Sequence, residues 1–201
     1  MHIISVNGQY QNGKDTIADY LAKLLGWGRA AFAKGVKQVF CDTFGTDMAF
    51  VEYWKTRPEC PAGFSMPVRQ ALQFIGDGFR QIQPRVWLEK PFRNQSQNII
   101  ISDGRYNNEL VEVRTRGGVN ILVYRPGFLN DDPNGSEAQL RPILDYLIET
   151  GVEGEISAQL HDMPAGVELV DIFLHNDGTV ADLYSKVDQI VQPYVLKKFV
   201  G

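Results

Sequence analysis

Cysteine is scarce in this chain. There are two in 201 residues, Cys41 and Cys60, too far apart to form a C-x-x-C pair. No disulfide framework is expected, and a reducing cytoplasm is the natural compartment. No apolar run is long enough to span a bilayer. The opening "HIISV" has neither the basic flank nor the long apolar stretch of a signal peptide. His2, His161 and His175 show no metal-ligand spacing, and the sequence has no H-E-x-x-H and no G-x-S-x-G. Metal-centred hydrolysis and a serine triad therefore have no support. There is no long block of one charge sign and the formal net charge is −4, which argues against a general nucleic-acid binder. It leaves room for a small anion held by a local group of arginines. Internal repeats and low-complexity tracts are also missing.

The length suits one domain with a sizeable core, or a core carrying small inserts. "HIISVN" (2–7) is a short β-branched apolar run that stops at a glycine, the pattern of a buried strand. In "KDTIADYLAKLLG", Ile17, Tyr20, Leu21, Leu24 and Leu25 recur at helical spacing before Gly26. "AAFAKGVKQVFCDTFG" predicts a brief strand passing into a helix, and "TRPECPAGFSMP" (56–67) a proline-rich loop. Helices are expected in "VRQALQFIGDGFRQI" and "RVWLEKPFRNQ". "NIIISD" (98–103) is a strand without alternation, as a parallel sheet covered on both faces requires. A helix at "NNELVEVRTRGG" and a strand at "VNILVYRPG" follow, then a long excursion around one helix near 137–150. "VELVDIFLHN" returns as a strand, and "TVADLYSKVDQIVQPYV" closes as an amphipathic helix. Strands alternating with helices predict an α/β sandwich with a mainly parallel, five-stranded sheet. Ligands of such sheets sit beyond the carboxyl ends of the strands, here near Gly8, Asp103, Arg125 and Asn176.

One glycine loop stands in that context. "GQYQNGKDT" runs Gly8, four residues, Gly13, Lys14, between a predicted strand and a predicted helix. Such a loop aims backbone N–H groups and a helix N-terminus at phosphates, with Lys14 adding a mobile positive charge. The residue after the lysine is Asp15 instead of the usual Ser or Thr, with Thr16 one place later. Asp15 is suited to hold Mg²⁺ directly or through water, or to accept a hydrogen bond from a nucleophile. Alternatively it caps the helix while Thr16 supplies the hydroxyl. In "RQALQ", Arg69 and Gln73 share one helical face, a guanidinium for a phosphate and a carboxamide for a base edge. Arg80 and Arg85 follow, and Trp87 either stacks on a ligand or fills the core, the core being favoured. Asp103, Arg105 and Arg125 lie at predicted strand ends, where two arginines could neutralise a transferred phosphoryl group or form structural salt bridges.

Taken together, these motifs resemble the bacteriophage-type deoxynucleoside monophosphate kinases of the P-loop nucleoside monophosphate kinase superfamily. The similarity runs through "GQYQNGKDT", "FAKGVKQVF", "RQALQFIGDGFRQIQPRVW", "IISDGRYNNELVEVRTRGG", "VYRPG", "GSE" and "HNDGTVADLYSKV", in that order. Residues 46–66 and 138–168 contribute little to it. The Lys-Asp-Thr ending is the usual form of the loop in this family. The resemblance implies a single three-layer P-loop kinase domain over 1–201, with an acceptor-binding insert at about 34–95 and a lid-like insert at about 127–168. It implies transfer of the ATP γ-phosphoryl group to a deoxynucleoside 5′-monophosphate. Gly8, Asn12, Gly13, Lys14, Asp15 and Thr16 would bind ATP, with Asn176 and Gly178 beside the adenine. In "NDGT" (176–179), a helix start capped by Asp177 is the other reading. Arg69, Gln73, Arg80, Trp87 and Arg105 would form the acceptor side, and Lys14, Asp15, Asp103, Arg105 and Arg125 the transfer site. Mg²⁺ would fall to Asp15, Thr16 and Asp103.

Related loops occur in phosphomevalonate kinases, so a phosphomevalonate or dephospho-coenzyme A type acceptor stays open, as does a nucleotide-binding protein without turnover. The only arginine in 129–168 is Arg141. Either the transfer site draws on Arg105 and Arg125, or this insert has a different task. The partners implied are small molecules, ATP and a monophosphate, with no nucleic acid and no membrane. A homodimer is left open.

Overall fold

The computed structural model describes residues 1–93, 97–129, 139–160 and 162–200. The chain divides into two compact units, residues 1–30 with 95–201, and residues 31–94.

The first unit is built on a six-stranded sheet. Its strands are β1 (Ile3–Asn7), β2 (Gly28–Ala30), β3 (Ile99–Ile101), β4 (Val119–Tyr124), β5 (Gly154–Glu155) and β6 (Ile172–His175), in spatial order β2-β3-β1-β4-β6-β5. All neighbours pair in parallel except β5, which runs antiparallel to β6. Five strands were expected, and β5 is the correction. Two residues beginning at a glycine leave no alternation for a period-two reading to detect. The second strand is also misplaced by sequence. "GRA" precedes the predicted site and contains no β-branched or aromatic residue.

Alternate residues of each strand point to opposite faces, and both faces are covered. On one side Ile121, Val123, Ile172 and Leu174 pack with Ile17 and Leu21 of α1 (Lys14–Leu25) and with Leu183, Val187, Val191 and Val195 of the C-terminal helix. That helix runs as α7 (Val180–Lys186), a widened π turn over Val187–Val191 and α8 (Gln192–Phe199), where Pro193 supplies no N–H. On the other side Leu122 and Phe173 pack with Leu110 of α5 (Asn107–Thr115) and with Ile143, Leu144 and Leu147 of α6 (Arg141–Thr150). Helices on both faces of a parallel sheet explain why β3 reads as an unbroken apolar run, and why β1 and β4 are buried almost throughout, their polar Ser5, Asn7 and Asn120 included.

The second unit is helical. It contains α2 (Lys34–Phe44), α3 (Met48–Trp54) and α4 (Val68–Ile82), the last with a strongly one-sided apolar face. Phe40, Cys41, Val51, Val68 and Ala71 form its core, with Phe50 and Phe64 packed against them. α3 went unrecognised in the sequence, although Asp47 caps it by accepting a hydrogen bond from Phe50 N at 2.7 Å. The helix expected in 85–95 extends past the described residues; over 85–93 the chain is instead a series of turns with one 3₁₀ turn at Lys90–Phe92, where Pro91 has no N–H to continue a helical ladder.

Candidate functional site

Because five strands run in parallel, the segments after β1, β3, β4 and β6 all leave the sheet on its carboxyl edge. The loop 8–13 leaves β1 there and enters α1 at Lys14. Gly13 has φ 92°, and a Cβ there would lie 2.6 Å from Asn176 Nδ2, so only glycine fits the turn. The first helical bond is Ile17 N–H to Gly13 O at 3.1 Å, and no side chain caps the turn before it. An uncapped helix start entered from a glycine turn is a physical setting for an anion. Lys14 is 7% exposed, and its ammonium donates to Gln9 O at 3.3 Å within the same loop. Asn12 is fully buried and ties the loop to β4 by donating to Val123 O at 3.1 Å.

Asp15 opens outward. Its side chain is 70% exposed, yet it is not loose. Ser102 Oγ donates to Asp15 Oδ1 at 2.6 Å, and Arg29 Nη2 lies 3.5 Å from the same oxygen. Arg29 also donates to Ser102 Oγ and, through Nη1 at 2.7 Å, to Asp19. Thr16 follows, half-buried, in the first turn of α1.

β3 ends at Ile101, so Asp103 stands two residues past the strand and is half-buried. The buried residue at the strand end is Ser102, at 5% exposure. Gly104 follows under Asn7, and a Cβ there would collide with Asn7 Oδ1, itself held by Ser5 Oγ at 2.9 Å. Glu109, in the first turn of α5, accepts from Arg105 N at 2.7 Å and Tyr106 N at 3.1 Å. The "DGR" turn is thus fixed by its backbone. Arg125 follows β4, with its guanidinium 4.3 Å over the Phe128 ring. Among the described residues it has no carboxylate partner, so the salt-bridge reading of Arg125 finds no support there.

The loop 176–179 follows β6. Asn176 donates to Asn12 O at 3.0 Å and so touches the glycine loop directly. The helix start is capped by Thr179, not by Asp177. Thr179 Oγ accepts from Asp182 N, and the Asp182 carboxylate reaches back to Thr179 N at 2.8 Å. Asp177 instead accepts from Lys186 at 3.0 Å, which also donates to Glu153 at 2.8 Å and to His175 O at 2.9 Å. Burial pulls the Lys186 pKa down, but its hydrogen bonds to Glu153 and Asp177 outweigh this and raise it. The Lys186 hydrogen bond holds the Asp177 carboxyl below its ordinary value.

Arg69, Gln73, Arg80 and Trp87 belong to the second unit. Arg69 and Gln73 are exposed one turn apart on α4. Arg80 pairs with Asp77 at 2.8 Å. Trp87 is 4% exposed and donates its indole N–H to Gly76 O at 3.0 Å, which is the core placement favoured for it.

ATP and Mg²⁺ can be tested against these residues. Glycine turn, buried lysine and uncapped helix start together fit a polyphosphate. Among the described residues no group of three or more His, Cys, Asp or Glu could hold a metal by itself. The oxygen donors of Asp15 and Thr16 fit an ion that arrives on phosphates, keeps several waters and takes one or two carboxylates. Sequence reading missed Ser102, Arg29, Glu153 and Lys186. The buried serine following an apolar strand was the one signal available.

No protein-family model matches the chain. A "Putative deoxynucleotide monophosphate kinase" of Acanthamoeba polyphaga mimivirus is 27% identical over 206 residues, covering 93% of this chain and 94% of the relative. "Uncharacterized protein ORF76" of Ictalurid herpesvirus 1 is 24% identical over 187 residues, covering 85% of this chain and 70% of the relative. Among solved structures, shikimate kinase from Aquifex aeolicus superposes with a TM-score of 0.52 at 13% identity, covering 98% of this chain and 99% of that one. The chain has the P-loop kinase fold. Among the described residues no helix is long and apolar enough to cross a membrane.

Proposed function

We propose that the protein transfers the γ-phosphoryl group of ATP to a deoxynucleoside 5′-monophosphate, giving the diphosphate and ADP, in a cytoplasmic compartment. The observation that carries this is the loop from Gly8 to Thr16, a glycine turn closing on a buried lysine at an uncapped helix start. The acceptor class is supported by the description of the mimivirus relative, which aligns over 93% of the chain.

In this reading an oxygen of the acceptor phosphate attacks the γ-phosphorus while the bond from that phosphorus to the β,γ-bridging oxygen breaks. The acceptor phosphate is already largely ionised near neutral pH, so no strong base is required. The work left to the protein is positioning and charge stabilisation. Gly8, Asn12 and Gly13 shape the cradle, and Lys14 follows the charge that shifts onto the leaving diphosphate. Arg105 and Arg125 stabilise the transferred group. Asp15, Thr16 and Asp103 supply oxygen ligands for Mg²⁺, which neutralises phosphate charge when bound. Arg69 and Gln73 meet the monophosphate, with Arg80 and Arg105 in support, and Asn176 and Gly178 line the adenine.

The test is ADP release from ATP and Mg²⁺ with a panel of deoxynucleoside monophosphates, phosphomevalonate and dephospho-coenzyme A. Turnover is expected with at least one monophosphate and with neither other acceptor. Lys14→Ala is expected to keep the parental circular dichroism and lose about 10²-fold or more in kcat, the scale for deleting one preorganised charge-stabilising donor. Turnover confined to a non-nucleotide acceptor, or an active Lys14→Ala, would overturn the assignment.

A further inference from the structure

Asp15 poses a positioning problem. A carboxylate 70% exposed at the start of a helix would ordinarily sample several rotamers, and a metal or phosphate site needs it in one. The structure supplies a clamp from another element. Ser102, 5% exposed at the end of β3, directs its hydroxyl to Asp15 Oδ1 at 2.6 Å. The proton's direction is fixed by chemistry. Arg29 donates to Ser102 Oγ, and a guanidinium has no acceptor atom, so that contact uses an oxygen lone pair. The Ser102 proton is left to point at Asp15. Arg29 is itself anchored by Asp19, one helical turn beyond Asp15 on α1. Both contacts to Asp15 fall on Oδ1, so Oδ2 keeps its lone pairs for another ligand.

We infer that Ser102 and Arg29 are positioning residues that act through Asp15, a relay from Arg29 to Ser102 to Asp15 that presents the carboxylate to the divalent cation of the bound nucleotide. This rests on the reading of Asp15 as a metal-holding residue. Neither Ser102 nor Arg29 touches substrate in it. Ser102 orients the ligand, as a hydrogen-bonded partner behind a metal-ligating carboxylate does, and loss of such a partner costs about 10–100-fold in metal affinity or activity. Arg29 orients Ser102.

The experiment measures Mn²⁺ binding, by water-proton relaxation, to protein saturated with a non-hydrolysable ATP analogue. Ser102→Ala is expected to weaken Mn²⁺ about tenfold, with analogue affinity in the absence of metal unchanged. Ser102→Thr, which keeps the hydroxyl, restores binding to within about twofold of the parent. In an Asp15→Ala background the Ser102→Ala change adds nothing, because coupled residues are not additive. Arg29→Met gives a smaller loss in the same direction and serves if Ser102→Ala does not fold. Parental Mn²⁺ affinity in Ser102→Ala would overturn the inference, as would equal losses for the alanine and threonine variants, or a full further loss on top of Asp15→Ala. If the parent turns over no monophosphate while Ser102→Ala still weakens Mn²⁺, the acceptor assignment fails and the relay stands.

Discussion

Arg69 and Gln73 can be separated from ordinary surface by what they lack. Both are exposed on α4, and among the described residues Arg69 has no carboxylate within ion-pair distance. Arg80, three turns further along, is engaged by Asp77. Of the two arginines, Arg69 is therefore the better candidate to meet a phosphate. A hydrogen bond to a charged group contributes about 1.5–3 kcal/mol. Arg69→Ala is accordingly expected to raise the monophosphate KM at least about tenfold, with the ATP KM unchanged in steady-state assays. A defect on the ATP side alone would remove Arg69 from the acceptor site.

At the level of elements, β1, the glycine loop and α1 were legible because their signals are local. A β-branched apolar run, a glycine and a 3.6-period helix lie within residues 2–26. The relay to Asp15 was not legible, since Ser102 is 87 residues from Asp15 in sequence and only the pairing of β3 with β1 and β2 places it there. The Lys186 clamp is similar: its ammonium joins Glu153, 33 residues away, to the loop after β6. Periodicity marks α7 as helix but is silent on a side chain bonding outside it. Thr179 as helix cap was within reach, because a threonine followed three residues later by Asp182 is a local pattern.

That clamp has a pH signature. Lys186 has a raised pKa, so its contribution to stability is fully present below its ordinary 10.5 and is lost as pH rises through the raised value. Asp177 has a lowered pKa, so its contribution is present above its ordinary 3.8 and is lost as pH falls through the lowered value. Lys186→Met should cost about 1 kcal/mol near neutral pH, the upper end for exposed pairs, because one ammonium serves three acceptors. The difference in Tm between parent and variant should shrink on both the acid and the alkaline side. A difference constant across pH would mean that Lys186 acts through packing of its methylene chain.

For the molecule as a whole, α6 changes the meaning of the arginine-poor stretch. Ile143, Leu144 and Leu147 are buried against Leu122 and Phe173 of the sheet, and Glu153 accepts from His175 N at 2.9 Å just before β5 joins the sheet edge. Residues 141–155 pack as a wall of the core. Leu144→Ala should therefore cost about 2–5 kcal/mol, read as a lower urea midpoint with an unchanged m-value. A loss under about 1 kcal/mol would mark α6 as a flap laid loosely on the sheet, since the cost scales with how completely the side chain is enclosed.

The two-residue β5 has a further consequence, for what happens between molecules. A parallel sheet ends in rows of unsatisfied amides and carbonyls that invite another chain to add a strand. Here the sheet finishes at β5 on one side and at the three-residue β2 on the other. The longer strands β1 and β4 are both interior. Each margin offers only a few backbone groups, too short a template for a foreign strand to dock in register. The aliphatic strands lie in the middle of the sheet, and each short edge strand also carries a charged side chain, Arg29 in β2 and Glu155 in β5, a second obstacle to edge-to-edge pairing.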